Sequence, residues 1–250
     1  MANRNLIIIR GGDLSLHANW YFYPNKNWDI VFSYFGSSTN SYINTCDYFH
    51  SFKGPKWPGV SDWILNNQDI LYSYDYIWIP DDDIYISPSD LRDYFEYVAH
   101  KNFILSQPAL TRFSSFSHLI TIRQSDTHRI TNFVEIMAPC FSRDGLSICL
   151  EFINNADSGW GMEWQWVSKI SSLGYRDKIG IIDKHPMYHT REVGSLGNGG
   201  IDPLTNVYYG QVVNNISYQI PQNRIKNLYD SFIFSRLVIR LLSLFRKFIN

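Results

Sequence analysis

Three consecutive carboxylates, Asp81, Asp82 and Asp83, follow an apolar run at residues 74–79 that is typical of a buried strand. Adjacent like charges repel, so a fold that collects them at the end of a strand usually supplies a cation or hydrogen-bond donors there. Carboxylate oxygens are ligands that suit hard divalent cations. The triplet therefore indicates either a divalent-metal site or a solvated acidic loop, and alone it does not distinguish them.

Further polar residues at the ends of predicted strands could contact a nucleotide. The run at residues 6–10 ends in Arg10, Gly11, Gly12 and Asp13. Glycines there would let a nucleotide approach the backbone, and the charged side chains could contact base, ribose or phosphate, although an ordinary turn fits the pattern equally well. Lys56, in a turn rich in glycine and proline, could neutralise a diphosphate or simply be an exposed lysine.

Two later segments carry groups suited to sugar or metal chemistry. Residues 157–164 place Trp160 between glycines, with Asp157 and Glu163 on either side. A flexible loop of this composition could present the ring to a sugar and a carboxylate to a hydroxyl. His189 follows a predicted strand at residues 179–183 and is either a metal ligand or an ordinary hydrogen-bonding group.

These residues need a sheet to position them, and the apolar runs predict one. Alternation with helices indicates an α/β sheet of the nucleotide-binding kind. One helix is predicted from Ser61, and another begins at Pro88 with Ser87 as its N-cap. In one predicted strand, Glu135 interrupts apolar residues at a position that a purely structural strand would not need. The predicted strands cover residues 6–10, 28–35, 74–79, 104–110, 117–123, 129–143 and 179–183.

Composition limits the classes of function. A chain of 250 residues and 29.3 kDa suits one large α/β domain, and a net charge of -1 gives no general attraction to nucleic acid. The aromatic content of 16% favours a site for carbohydrate or nucleotide. The three cysteines match no metal or redox pattern. We find no signal peptide and no uncharged stretch long enough to span a bilayer, so we expect a cytoplasmic protein.

The last segment, residues 223–250, is predicted to be a basic amphipathic helix separate from a domain at residues 1–222. Arg236 and Arg240 stand four residues apart, whereas Leu237, Leu241 and Leu244 fall on another side. Such a helix can lie at the inner face of the cell membrane against anionic lipid. Packing on the domain or on a second subunit is the alternative.

The residues carry a resemblance to a known family. It covers roughly residues 5 to 195 and rests on five segments in order: YDYIWIPDDDI, SHLITIR, RITNFVEIMAPCFSR, DSGWGMEW and IGIIDKHPMYHTR. The sequence thereby resembles the lysine ketoglutarate reductase trans-splicing related proteins, whose members are similar to GT-A glycosyltransferases. The resemblance implies one GT-A-like, Rossmann-like α/β domain with a mixed central sheet, binding a nucleotide sugar.

The resemblance also implies roles for single residues. Asp81 and Asp83 would be the outer carboxylates of a DxD motif that binds Mn²⁺ or Mg²⁺, and His189 would complete the metal shell. Glu163 would be the base that deprotonates the acceptor hydroxyl, with Asp157 as its rival. The residues expected to bind the donor are Arg10, Gly11, Gly12, Asp13, Lys56, Asp82, Trp160 and Arg191.

The predicted function is a metal-dependent glycosyltransferase of the GT-A type in polysaccharide biosynthesis. It would move a sugar from a nucleotide-sugar donor to a glycan or lipid-linked saccharide. The predicted stereochemistry is inverting, yet Trp164 stands where the inverting pattern has a second acidic residue, so this point stays open. The alternatives are a metal-dependent nucleotidyl- or phosphotransferase and a non-catalytic carbohydrate-binding protein.

Overall fold

A computed structural model describes residues 4–37, 42–156, 159 and 161–191. Its strands are β1 (Asn5–Gly11), β2 (Trp28–Tyr34), β3 (Tyr48–Ser51), β4 (Tyr76–Trp78), β5 (Ile84–Tyr85), β6 (Leu105–Leu110), β7 (Arg129–Ile130), β8 (Cys140–Ser142) and β9 (Ile179–His189). Its helices are α1 (Ala18–Tyr21), α2 (Lys56–Asn66), α3 (Gln68–Leu71), α4 (Pro88–Lys101), α5 (Arg143–Asn154) and α6 (Met162–Ser172).

The strands form one mixed sheet in the order β3-β2-β1-β4-β8-β6-β9-β5, and β7 also pairs with β9. Strands β3, β2, β1 and β4 are mutually parallel, and β6 and β9 are parallel to each other. Strand β8 lies antiparallel between β4 and β6. Because β8 is antiparallel to both of its neighbours, β4 and β6 run in the same direction. The carboxyl ends of β1, β2, β3, β4, β6 and β9 therefore point to the same edge of the sheet.

Both faces of the sheet are covered, which explains why its central strands are continuous apolar runs. In β1, Leu6 and Ile8 pack into a cluster that includes residues of α2, α5 and α6. Ile7 and Ile9 point the other way, into a cluster that includes residues of α1 and α4. The predicted α/β fold with a mixed central sheet is therefore confirmed, with helices on both faces.

Several local predictions agree with the structure. Ser87 caps α4, because its side chain accepts a hydrogen bond from the backbone N–H of Asp90, and Pro88 is the first helical residue. Helix α2 begins at Lys56, earlier than the predicted start at Ser61. Strand β9 continues past residue 183 to His189, so the histidine ends the strand.

The strand predicted at residues 117–123 is wrong, and the one predicted at residues 129–143 is confirmed only at its two ends, β7 and β8. Residues 117–123 contain a 3₁₀ turn at Leu119–Thr121, and most of residues 129–143 forms a loop between β7 and β8. Apolar composition made these segments resemble strands, but side chains from other elements hold the loop. Gln107, for example, accepts the backbone N–H of Glu135 at 2.6 Å. A side chain thus accepts a backbone N–H that would bind a carbonyl oxygen if this segment were a strand of the sheet.

Three predicted features lie outside the described residues: Asp157, Trp160 and the C-terminal helix at residues 223–250. In the ranges that are described, no helix combines the length and apolar character needed to cross a membrane.

Candidate functional site

The acidic turn lies between the carboxyl ends of β1 and β9. Asp81 forms a parallel bridge with Arg10 at the end of β1. Directly after the turn, β5 pairs with the end of β9 in a register that places Ile84 opposite His189. Two long-range strand contacts thereby bring the histidine beside the turn.

Asp81, Asp83 and His189 each offer one ligand atom, and these three atoms lie within 4.8 Å of one another. His189 Nδ1 lies 3.0 Å from the carbonyl oxygen of Ser115, which can only accept, so Nδ1 carries the proton. Nε2, 3.0 Å from Asp83 Oδ2, is then the nitrogen that can bind a metal. Two carboxylates and an imidazole suit Mn²⁺ or a similar divalent ion, so the donor set fits the predicted metal.

Lys56 provides a positive charge directly beside this cluster. It begins α2, and its Nζ lies 2.6 Å from Asp81 Oδ1. The same nitrogen donates to the carbonyl oxygens of Ile136 at 2.9 Å and Met137 at 3.0 Å. Lys56 therefore connects the acidic turn to the loop between β7 and β8.

Asp82 fastens the turn to the glycine loop after β1. Its Oδ2 accepts the backbone N–H of Gly12 at 3.0 Å, and its Oδ1 accepts from Arg191 at 2.6 Å. A Cβ on Gly11 would lie 2.6 Å from the ring of Phe32, so only glycine allows this close packing. The structure thus brings Gly11, Gly12, Asp82 and Arg191 together at one edge of the sheet.

The pKa values of the two carboxylates bound by Arg191 are shifted in opposite directions. Burial raises the pKa of Asp82, although the Gly12 N–H and Arg191 oppose this. Burial acts in the same direction on Asp83, but the hydrogen bond from His189 and the charges of His189 and Arg191 outweigh it, so the pKa of Asp83 is lowered. Asp83 is therefore anionic while His189 carries protons on both nitrogens, and binding of a metal at Nε2 would release the proton that Nε2 donates to Asp83.

Arg10 and Asp13 have different surroundings. The guanidinium of Arg10 is buried and donates to four backbone carbonyls, those of Ser33, Phe52, Gly54 and Pro55. This favours a structural role in ordering the loop before α2 over the predicted contact with a nucleotide. Asp13 is exposed and accepts a hydrogen bond from Tyr34, so its predicted contact with a donor stays a prediction.

Glu163 is the second residue of α6, a helix that begins directly after the left-handed Gly161. Its side chain is buried, and burial raises the pKa of the carboxyl to about 7. Among the residues that the structure describes, Oε2 has no hydrogen-bond partner. A buried carboxylate with a pKa near neutrality and a free oxygen has the properties of a general base.

The loop before α6 passes close to α2. Gly159 has a φ of +86°, and a Cβ there would lie 2.0 Å from the indole ring of Trp57. Glycine is required at this position for both reasons. Gly159 thus lies next to the helix that carries Lys56.

Glu135 is a site residue that the sequence did not place here. It is 5% exposed, and burial raises the pKa of its carboxyl to about 8, with the charges of Asp81 and Glu163 adding to the effect. It therefore lies within electrostatic range of both the metal-ligand cluster and the candidate base. The signal in the sequence was a single acidic residue inside the apolar run at residues 133–138.

The fold is similar to solved structures of TarS from S. aureus. The chain matches TarS residues 1–349 with a TM-score of 0.52 and 10% identity, covering 75% of this chain and 60% of that one. The same part of TarS in complex with UDP-GlcNAc gives a TM-score of 0.54 and 10% identity, covering 76% and 59%. The likeness shows that this chain shares the α/β fold of TarS. The chain spans less than two thirds of this part of TarS.

Sequence comparison gives the family. No curated protein matches the chain. A family model described as "Protein of unknown function (DUF707)" matches residues 56–132 and 125–224, which together make up more than half of the chain. These matches include the acidic turn, both buried glutamates and His189, and the chain therefore belongs to this family of proteins of unknown function.

Proposed function

We propose that this chain is a metal-dependent glycosyltransferase that moves a sugar from a nucleotide-sugar donor to the hydroxyl of a glycan or lipid-linked saccharide. The observation that carries the proposal is the convergence of Asp81, Asp83 and His189 at the carboxyl edge of a sheet similar to that of TarS. TarS structures in complex with UDP-GlcNAc and with UDP support a nucleotide-sugar partner. The earlier resemblance to lysine ketoglutarate reductase trans-splicing related proteins stays a prediction.

Asp81, Asp83 and His189 would hold Mn²⁺ or Mg²⁺. When bound, such an ion stabilises the negative charge that gathers on a departing nucleoside diphosphate. The residues around the three ligands keep them in place: Lys56 contacts Asp81, and Arg191 contacts Asp83 at 3.3 Å. Positioned cations of this kind also favour a bound diphosphate.

Glu163 is the proposed catalytic base. The acceptor hydroxyl oxygen attacks the anomeric carbon and gives its proton to Glu163 Oε2. At the same time, the bond between the anomeric carbon and the diphosphate oxygen breaks. This single displacement inverts the configuration at the anomeric carbon. The rival base Asp157 lies outside the described residues, and we retain it as the alternative.

The proposed acceptor class includes lipid-linked saccharides because of the C-terminal segment. Residues 223–250 are proposed to bind an anionic membrane surface as a basic amphipathic helix. Flotation with anionic liposomes would compare the whole chain with a truncation ending at Gln222. Stronger flotation of the whole chain supports the proposal, and equal partitioning of the two proteins contradicts it.

The central test is a panel of nucleotide sugars, including UDP-GlcNAc, with the free nucleotides UDP and GDP. Thermal shift and donor hydrolysis would be measured with Mn²⁺ and with EDTA. We expect Mn²⁺-dependent stabilisation by one class of donor, and slow release of its sugar and nucleoside diphosphate. Asp83→Asn should abolish both signals. Glu96→Gln, a change of the same type at an exposed residue of α4, should abolish neither.

Other outcomes favour the alternative functions. Release of a nucleoside monophosphate would indicate nucleotidyl transfer. Tight binding of free sugar that is unaffected by EDTA or by Asp83→Asn would indicate a carbohydrate-binding protein. No response to any nucleotide or nucleotide sugar in the presence of Mn²⁺ would contradict the glycosyltransferase proposal.

A further inference from the structure

The loop between β7 and β8 is fixed at four successive residues, 134–137, by contacts from other elements. In chain order these contacts are Trp166 Nε1 to Val134 O at 3.3 Å, Glu135 N to Gln107 Oε1 at 2.6 Å, Lys56 Nζ to Ile136 O and Met137 O, and Asp81 N to Met137 O at 2.8 Å. A segment without regular structure is therefore held by hydrogen bonds at each of these four residues. Such fixed backbone is how proteins position a binding group.

The side chain presented by this loop is Glu135. Its Oε2 has no hydrogen-bond partner among the described residues, although the side chain is 95% buried, being 5% exposed. Gln107, which is fully buried in β6, has an unpartnered Nε2. The orientation of this amide follows from its contact with the Glu135 N–H, because only the amide oxygen can accept that bond. One acceptor and one donor are thus left unpaired in the interior.

Unpaired buried polar atoms are costly, and in native structures they often mark the place of a missing partner. A sugar hydroxyl can donate to the unpaired oxygen of Glu135, and a hydroxyl can accept from the amide of Gln107. Because water is largely excluded around Glu135, such hydrogen bonds would be stronger than at the surface.

The position of Glu135 indicates which sugar it would meet. Lys56, which contacts Asp81, also donates to the carbonyl oxygens of the next two residues of the loop, Ile136 and Met137. On the preceding residue, Val134 O accepts from Trp166 of α6, the helix that carries Glu163. In the proposed reaction, the donor sugar lies between the diphosphate at the metal ligands and the acceptor at the base. Glu135, on a loop that contacts both parts of the site, would therefore lie beside the donor sugar.

We propose that Glu135 and Gln107 form a hydroxyl-binding subsite for the donor sugar and contribute to the choice of that sugar. The inference rests on the proposed function and deepens it. A donor that lacks the matching hydroxyl would leave both polar atoms unpaired, and sites of this kind reject such analogues strongly.

The test separates nucleotide binding from sugar binding. Dissociation constants for UDP, UDP-GlcNAc, UDP-glucose and UDP-galactose would be measured by calorimetry with Mn²⁺ for the wild type, Glu135→Gln and the exposed control Glu96→Gln. We expect Glu135→Gln to leave the UDP constant within about twofold, and to weaken the preferred UDP-sugar by at least about tenfold. Glu96→Gln should change neither constant.

Gln107→Glu keeps the oxygen that holds the loop but removes the amide donor, so it should also weaken binding of the UDP-sugar selectively.

Other results would contradict the inference or the proposed function on which it rests. Equal weakening of UDP and UDP-sugar by Glu135→Gln would show that Glu135 supports the metal ligands, not the sugar. Unchanged binding with a lowered melting temperature would show that its partner is a structural water. If Glu135→Gln does not fold, Glu135→Asp, which keeps a carboxyl group but withdraws its oxygens, must show the selective loss. A wild type that binds neither UDP nor any UDP-sugar would overturn the proposed function itself, whereas normal wild-type binding with an unchanged ratio in Glu135→Gln overturns this inference alone.

Discussion

Two groups of carboxylates meet at the same edge of the sheet, and their surroundings differ. In the acidic turn, each carboxylate has a cationic partner: Lys56 for Asp81, and Arg191 for Asp82 and Asp83. The buried glutamates, Glu135 and Glu163, have no ion pair among the described residues, and each has one oxygen without a hydrogen bond.

The difference appears in their protonation. His189 and Arg191 lower the pKa of Asp83 despite its burial, whereas burial raises the pKa of Glu163 to about 7 and that of Glu135 to about 8. Asp82 is intermediate, because its pKa is raised by burial although it is paired. The pKa of a carboxyl group near the metal-ligand cluster is thus set by its immediate partners and not by its position near the cluster.

The comparison suggests a division of roles. Paired carboxylates whose charge is fixed suit the binding of a cation. Unpaired carboxyls that exchange protons near neutrality suit contact with hydroxyl groups, either to remove a proton or to accept a hydrogen bond. Each prediction below separates the two groups by a different measurement.

The largest effect is expected for Glu163→Gln. Removal of a general base lowers kcat by about 10²–10⁴-fold, because the acceptor hydroxyl then loses its proton acceptor. The dissociation constant for UDP with Mn²⁺ should stay within about twofold, since the metal ligands are untouched. Steady-state kinetics and calorimetry on the same preparation measure both. A kcat equal to that of the wild type would show that Glu163 is not the base and would favour Asp157.

The next effect is expected for Asp83→Asn. It removes a charged ligand and weakens the hydrogen bond to His189, so Mn²⁺ affinity should fall by at least about 100-fold, beyond the loss typical of residues that only support metal ligands. Metal titration followed by calorimetry measures this. Glu163→Gln is the matched control from the other group and should keep Mn²⁺ affinity. Equal losses in both variants would contradict the division of roles.

The acidic turn could be predicted from the sequence because its signals are local. The apolar runs of β1, β2 and β4, and the polar residues that follow β1 and β4, are all visible within about ten residues. The convergence of His189 with Asp83 depends on the pairing of β5 with β9, which no local pattern shows. It was predicted only through the resemblance to a family.

The place of Glu135 could not be predicted, because it depends on distant contacts. The apolar run at residues 133–138 suggested a strand, but Gln107 and Lys56 hold this segment as a loop. Neither contact has a signal in the sequence near residue 135. Burial of a carboxylate without a partner is likewise a property of the assembled fold.

The pH dependence of turnover should show a smaller, graded effect. A base with a pKa of about 7 is protonated at lower pH, so kcat for donor hydrolysis should fall about tenfold per pH unit below that value. The small residual kcat of Glu163→Gln should not show this decrease as the pH falls. If the variant shows the same decrease in kcat, the group that titrates is not Glu163.

The smallest effect concerns stability, and here the two groups should respond to pH in opposite directions. Between the ordinary value of 4.5 and about 8, folded Glu135 keeps a proton that the unfolded chain has released. The free energy of unfolding should therefore decrease as pH rises through this window, by at most about 1.4 kcal/mol per pH unit for this group. Asp83, whose pKa is lowered, instead contributes stability at neutral pH that is lost as pH falls below its ordinary value of 3.8.

Urea unfolding in EDTA at pH 5, 6, 7 and 8 would measure this contribution of Glu135. Glu135→Gln cannot titrate, so its stability relative to the wild type should improve steadily from pH 5 to pH 8. Glu96→Gln, which removes an exposed carboxylate, should show no such trend. A difference between Glu135→Gln and the wild type that stays constant across this range would mean that Glu135 is ionised throughout. The buried glutamate would then belong with the charged carboxylates of the turn, and the contrast between the two groups would rest on Glu163 alone.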